Sequence, residues 1–189
     1  VADAQALADL QERLDEVKQN PLPYNYQKPE LWWQSLRRSK PEDFNQSPET
    51  GISADAVDAV GKALTTLPQG FKPLKQIEKL IKERKDMFFE AKQLNWAAGE
   101  LLAYGSVLLD GRIVRFTGQD VQRGTFSHRH AVLHDAVTSA PYNNLNHMAE
   151  GQGSFEIYNS LLSEYGVLGF EFGYAMANPN ALVVWEAQF

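Results

Sequence analysis

Three stretches of the chain hold residues whose types and spacing could do chemistry. The first runs Thr117-Gly118-Gln119-Asp120-Val121-Gln122-Arg123-Gly124-Thr125-Phe126-Ser127-His128-Arg129-His130, with His134 four residues on. Imidazole titrates near neutral pH, so it can carry protons or ligate metals. Three imidazoles suit zinc, but spacings of two and four do not share one helix face, so a loop would have to gather them. These residues admit three readings: a metal site, a catalytic or substrate contact, and a hydrogen-bonded polar loop at a domain or subunit interface. The second stretch, Gly151-Gln152-Gly153, precedes Phe155-Glu156-Ile157-Tyr158. It resembles a phosphate-cradling loop but lacks the downstream glycine and lysine, so a plain turn is expected.

The third stretch runs from Asn159 to Ala175 and is mostly apolar. Gly166, Gly169 and Gly173 fall at helical spacing, and each costs a helix about 1 kcal/mol. Close approach of another backbone or helix is the expected compensation. Glu164 is the anomaly in this run. A carboxylate in apolar surroundings must be paired, solvated through a cleft, or raised in pKa by desolvation. On composition alone, a structural ion pair or cap competes with a catalytic acid there, and Glu171 is the rival carboxylate.

The elements that must position these groups follow from periodicity. Leu7, Leu10, Leu14 and Val17 form one stripe of a helix from about Ala4 to Lys18, stopped by Pro21 and Pro23. Leu31-Trp32-Trp33 with Leu36 suits a short helix entered through Pro29 and Glu30. Ser53 can cap a helix carrying Val57, Val60 and Leu64 that ends near Pro68-Gln69-Gly70. Leu74, Ile77, Leu80, Ile81 and Phe88 mark another, and a more apolar helix spans about Asn95 to Leu109. Arg112-Ile113-Val114-Arg115-Phe116 reads as a strand leading to Gly118. An irregular stretch from Gln119 to Ser154 follows, then a helix between Asn159 and Ala177, then the strand Leu182-Val183-Val184-Trp185. Strand, crossover with a helix, and strand is the pattern of a parallel α/β sheet, whose ligands sit at the C-terminal strand ends. Two strands are too few to stand alone, so the reading is a partial, truncated parallel sheet preceded by a helical arm.

Bulk properties narrow the function classes. With 43% apolar and 22% charged residues, the 189-residue chain is in the globular range. The absence of cysteine removes disulfides, thiolate metal sites and thiol nucleophiles together. A net charge of −6 opposes binding to a phosphate backbone, so no nucleic-acid partner is expected. No apolar run reaches the length of a membrane helix, so no membrane partner is expected either.

Arg123-Gly124-Thr125-Phe126-Ser127-His128-Arg129-His130-Ala131, the run from Ser160 to Ala175, and Trp185-Glu186-Ala187-Gln188-Phe189 together resemble the thiamine-diphosphate-dependent component of 2-oxoglutarate dehydrogenase. The resemblance extends from about Gly51 to the end and is densest after Asn95. It implies a transketolase-like pyrimidine-binding domain, with residues 1–94 a helical arm and 95–189 the first, incomplete part of that domain. It also implies an enzyme of the tricarboxylic acid cycle that decarboxylates 2-oxoglutarate and passes succinyl to the lipoyl group of a partner succinyltransferase. The implied cofactor is thiamine diphosphate, held across a homodimer interface, with its magnesium bound by a domain outside this chain.

Residue by residue, Glu164 matches the glutamate that contacts the aminopyrimidine ring, where sharing a proton with a ring nitrogen favours the imino tautomer that removes the thiazolium proton. A pKa raised by an apolar setting would help it. Phe189 matches an aromatic residue packing on the pyrimidine face. Gln119 and His130 match polar positions near the substrate pocket, whereas the family pattern varies at His128. The family continues past Phe189 with a Gly-Asp-Phe turn and further strands, so the chain reads as a fragment that is inactive alone. A related 2-oxoadipate decarboxylase or carboligase, and a non-catalytic dimerisation module, are the alternatives. The acidic loop at Glu150-Gly151-Gln152-Gly153 resembles bacterial members, which implies the bacterial cytoplasm; the mitochondrial matrix is the alternative.

Overall fold

The computed structural model describes residues 2–21 and 31–188. They fall into two compact units, Val1–Arg38 and Ser39–Phe189. The first contains α1 (Ala2–Gln19) and the short α2 (Leu31–Gln34). The expected stripe on α1 is present, with Leu7, Leu10, Leu14 and Val17 all exposed. The entry through Pro29 and Glu30, and the stop at Pro23, lie outside the described residues. No helix among the described residues is long and apolar enough to cross a membrane.

In the second unit a 3-10 turn at Pro41–Phe44 precedes α3 (Ala54–Thr65). The Ser53 hydroxyl accepts the Ala56 N–H at 3.1 Å, the cap its position predicted. The far end of α3 is closed from a distant part of the chain: the buried Asn144 amide donates to the carbonyls of Ala63 and Thr66. Next come α4 (Lys75–Lys85), a single π-helical turn (Asp86–Glu90), and α5 (Trp96–Leu109), capped by Asn95 onto the Ala98 N–H. Any Cβ at Gly105 would overlap the fully buried Val60, so this glycine permits the close crossing of α3 and α5.

The strands are β1 (Val114–Gly118), β2 (Val132–His134), β3 (Pro141–Asn143), β4 (Phe155–Asn159) and β5 (Leu182–Glu186), with α6 (Glu164–Ala177) between the last two. One sheet is parallel with the order β4-β1-β5, and Val114 faces Phe155 on one side and Leu182 on the other. The other is the antiparallel pair β2-β3. Successive strand residues point to opposite faces. Val114, Phe116, Phe155 and Ile157 therefore join Val60, Leu64, Phe88, Leu101 and Leu108 in one core, while Arg115 points the other way to α6.

Two expectations change. The sheet has three parallel strands, because Phe155-Glu156-Ile157-Tyr158 alternates buried and less buried positions as β4 and is not merely the flank of a glycine turn. The stretch from Gln119 to Ser154 is not wholly irregular, since it contains the β2–β3 hairpin and a 3-10 turn at Asn144–His147. Val60, Leu64 and Phe88 bury in the same core as α5 and the sheet, so the compact unit from Ser39 includes helices of the expected arm together with the strands.

The Gly151-Gln152-Gly153 segment is a turn. Gln152 accepts the N–H groups of Met148 and Ala149 and donates to the Leu145 carbonyl. A Cβ at Gly153 would overlap the Arg112 carbonyl, so backbone contact requires this glycine.

The hairpin turn is pinned by Asp135, whose carboxylate accepts N–H groups from Lys72 (2.6 Å), Val137 and Thr138. Those bonds hold its pKa down at about 2, with the Lys72 N–H the largest cause. An unfolded aspartate titrates near about 4. The carboxylate therefore stabilises the fold above about pH 4, and that contribution is lost as pH falls through about 2. Asp135→Asn is expected to unfold at lower temperature at pH 7, and to lose less further stability than wild type between pH 4 and pH 2. Thermal melts across that interval check both.

Candidate functional site

The C-terminal ends of β1, β4 and β5 bring the sequence-selected residues into one region. Gly118 closes β1, and a Cβ there would overlap the Glu186 carbonyl and the Val121 side chain. The Ser160 N–H donates to the Gly118 carbonyl at 2.8 Å, tying the exit of β4 to the exit of β1. Gln119 follows, half-buried, at the start of the loop that carries the histidines.

That loop, residues 119–131, is clamped at both ends by the core, which includes Val121 and Ala131. Between them it folds on itself. Gly124 N–H donates to the Asp120 carbonyl, Ser127 N–H to Gly124, and the Arg129 and His130 N–H groups both to Arg123. The Arg123 guanidinium binds the Asp120 carboxylate and the Ser127 hydroxyl. Three non-glycine residues here adopt left-handed backbone: Asp120 (φ 55°), Ser127 (φ 54°) and His130 (φ 38°). Such conformations are uncommon and persist only where surrounding structure holds them, which is frequent at functional sites.

The histidines have different surroundings. The His128 ring packs over Gly124, where any Cβ would collide with it. His134 lies on β2, with Nδ1 3.3 Å from the Ser139 carbonyl. His130 is half-buried, and burial foremost, then the positive charges of Arg84 and Arg123, push its pKa below the ordinary value. Both effects favour the neutral imidazole. Among the described residues, no three His, Asp or Glu side chains converge as a metal site.

Arg129 sits at the centre of the assembly and is buried at 1% exposure. Its guanidinium pairs with Glu100 of α5 at 3.0 Å and with Glu186 at the end of β5, donates to the Val121 carbonyl at 2.9 Å, and lies over the Phe116 ring. Two residues beyond Glu186, the Gln188 N–H donates to Glu164 Oε1 at 3.1 Å. Glu164 is the first residue of α6 and half-exposed, so within this chain it stands at a helix end and not inside apolar surroundings. Exposed Leu161, Leu162 and Tyr165 flank it in sequence. Phe189 lies outside the described residues.

Glu171 resolves as a structural carboxylate. It is 4% exposed and takes a two-point bond from Arg115 of β1, at 2.8 and 3.0 Å. Arg115 also lies near the rings of Tyr158, Phe170 and Tyr174, so it anchors α6 to the sheet. The close approach expected at the α6 glycines is not made within the described residues. Nothing lies within 4 Å of a Cβ built at Gly169 or Gly173, because that side of the helix is open.

Sequence reasoning missed Arg129, its partners Glu100 and Glu186, and Arg84. Arg84 had a readable signal. It continues the buried stripe Ile77, Ile81, Phe88 at helical spacing, where a charged residue is out of place.

Residues 92–189 match the family described as transketolase, pyrimidine binding domain. Among curated proteins, the mitochondrial 2-oxoglutarate dehydrogenase of Dictyostelium discoideum is 48% identical over 162 residues, which is 83% of this chain and 16% of the relative. The Schizosaccharomyces pombe protein of the same name is 50% identical over 140 residues, 74% of this chain and 14% of the relative. The 2-oxoglutarate dehydrogenase E1 component of Oceanobacillus iheyensis is 45% identical over 140 residues, 74% of this chain and 15% of the relative. The chain thus spans about one sixth of the length of the curated relatives it matches.

Proposed function

We propose, from the premise that the chain belongs to the transketolase pyrimidine-binding domain family, that it is the pyrimidine-binding segment of a thiamine-diphosphate-dependent 2-oxoglutarate dehydrogenase. The observation that carries this reading is the setting of Glu164. One of its carboxylate oxygens is held by the Gln188 N–H, just past the C-terminal end of a parallel strand, and exposed Leu161, Leu162 and Tyr165 are close to it in sequence. This donor set fits an aromatic nitrogen heterocycle: Oε2 remains for a ring nitrogen, and Leu161, Leu162 and Tyr165 offer apolar surface. It does not provide a diphosphate site, since the two arginines of the loop are engaged, Arg123 by Asp120 and Arg129 by Glu100 and Glu186.

Bound thiamine diphosphate supplies the electron sink for decarboxylating a 2-oxo acid. Glu164 exchanges a proton with the pyrimidine ring, and the Gln188 N–H fixes which oxygen is left to do so. His130, held in a left-handed backbone conformation, contacts the substrate, and Gln119 orients a polar group of it. Phe189, which lies outside the described residues, would supply the aromatic ring that packs against the pyrimidine. Magnesium and the diphosphate are held by a domain outside this chain.

The proposed assembly is a homodimer that hands succinyl to a lipoyl-bearing succinyltransferase. The exposed Phe172 and Met176 on α6, with the open flanks of Gly169 and Gly173, support a second protein surface there. Relatives of both mitochondrial and bacterial origin match the chain, and we place this one in the bacterial cytoplasm on its Glu150–Gly153 loop.

The test is substrate choice in the full-length protein that carries this chain. With thiamine diphosphate and magnesium added, reduction of an artificial electron acceptor is followed with 2-oxoglutarate and with 2-oxoadipate. Turnover that requires the cofactor and has kcat/KM at least roughly tenfold higher for 2-oxoglutarate, a gap of one methylene in a shaped pocket, is the expected result. Preference for 2-oxoadipate, or indifference to the cofactor, overturns the reading.

A further inference from the structure

Arg84 is a buried cation without a carboxylate. It is 2% exposed, lies in the last turn of α4, and makes no ion pair among the described residues. Burial alone draws its pKa down to about 10. Its Nη1 is buried and finds no hydrogen-bond partner among the described residues. A leucine or methionine would fill the same position on the stripe without desolvating a charge, so packing does not account for the guanidinium.

The one hydrogen bond it makes among the described residues indicates its use. Nη2 donates to the Arg129 carbonyl at 2.6 Å. That carbonyl belongs to the peptide joining Arg129 to His130, so fixing it fixes the backbone angle at which His130 leaves the loop. His130 has φ 38°, a left-handed conformation that a non-glycine residue abandons unless held. The other restraints on this peptide are the Arg123 carbonyl, which accepts the His130 N–H at 2.8 Å, and the Arg129 side chain, locked by Glu100 and Glu186.

We propose that Arg84 is a positioning residue for His130: from a helix that precedes the family-matched segment, it holds the strained Arg129–His130 peptide and thereby sets the direction in which the imidazole leaves the loop. The proposal rests on the reading of His130 as a site residue. The charge has a second effect. The groups that act on His130 are Arg84 from α4 and, from its own loop, Arg123 and Asp120; both arginines disfavour the imidazolium and Asp120 favours it. Arg84 therefore extends the range of the neutral imidazole toward lower pH. Removing the charge raises the His130 pKa and moves the acidic limb of the pH–rate profile to higher pH.

The experiment uses the full-length protein with thiamine diphosphate, magnesium and 2-oxoglutarate. It compares kcat, KM and pH–rate profiles of wild type, Arg84→Gln, Arg84→Lys and His130→Asn. Arg84→Gln keeps a donor but no charge; its acidic limb is expected to shift upward and kcat to fall roughly ten- to hundredfold, as for a misplaced reactive group. Arg84→Lys keeps the charge without the rigid fork; its limb is expected to stay in place while kcat falls. A folded Arg84→Gln with wild-type kcat and profile overturns the proposal, provided His130→Asn is impaired. If His130→Asn is itself unimpaired, the site reading fails and the proposal with it. Failure of both Arg84 variants to fold also overturns it, since Arg84 would then be a residue of the core and not of the loop.

Discussion

Glu164→Gln is expected to lower 2-oxoglutarate turnover by about two to three orders of magnitude, the range in which a positioned general acid–base group contributes. The substitution separates chemistry from architecture. Glutamine has nearly the same shape, and its carbonyl oxygen can still accept the Gln188 N–H that now ends on Glu164 Oε1. The start of α6 is half-exposed and no ion pair depends on it among the described residues, so folding should be spared. What glutamine cannot do is exchange a proton with a heterocyclic nitrogen. A loss in kcat with unchanged thermal stability is therefore the expected signature. Glu171→Gln should behave in the opposite way, because that carboxylate holds Arg115 and faces no ligand.

Arg129→Met is expected to destabilise the fold by about 3 kcal/mol, the low end of the cost of breaking a buried charged pair. Methionine replaces the aliphatic stem of the side chain but leaves Glu100 and Glu186 without their shared cation, and frees the Val121 carbonyl. The two carboxylates are only partly exposed, at 26% and 33%, so water offsets some of the loss, which sets the estimate at the low end. Arg129 links α5, the histidine loop and the end of β5. Its removal should also loosen Gln188 and hence Glu164, lowering turnover together with stability. Denaturant unfolding and turnover measured on the same preparation test this; a variant with wild-type midpoint contradicts it.

Local chemistry explains which parts of this fold could be read from the sequence. Ser53 announced its helix because a cap needs one short polar side chain at one place. β1 and β5 were legible as β-branched and aromatic runs next to turn residues. β4 was not, since Phe155-Glu156-Ile157-Tyr158 followed two glycines that drew attention to the turn. Nor were β2 and β3, whose three-residue length gives periodicity nothing to repeat.

The same limit applies to the site. Glu164 stood out as a charge in an apolar run, but the bond that orients it comes from Gln188, 24 residues later. Arg129 was visible only as part of a motif, because its role arises from two glutamates brought together by the sheet. Only the family resemblance separated Glu164 from Glu171, and the structure adds the physical difference: Glu171 is buried against Arg115, while Glu164 keeps an oxygen toward the strand ends.

The most direct measurement is the turnover of Glu164→Gln in the full-length protein as thiamine diphosphate is raised to saturation, with magnesium and 2-oxoglutarate in excess. If Glu164 exchanges a proton with the bound pyrimidine, maximal turnover stays about a hundredfold or more below wild type however much cofactor is added. Recovery of wild-type turnover at saturation, or no loss at any concentration, would contradict that role.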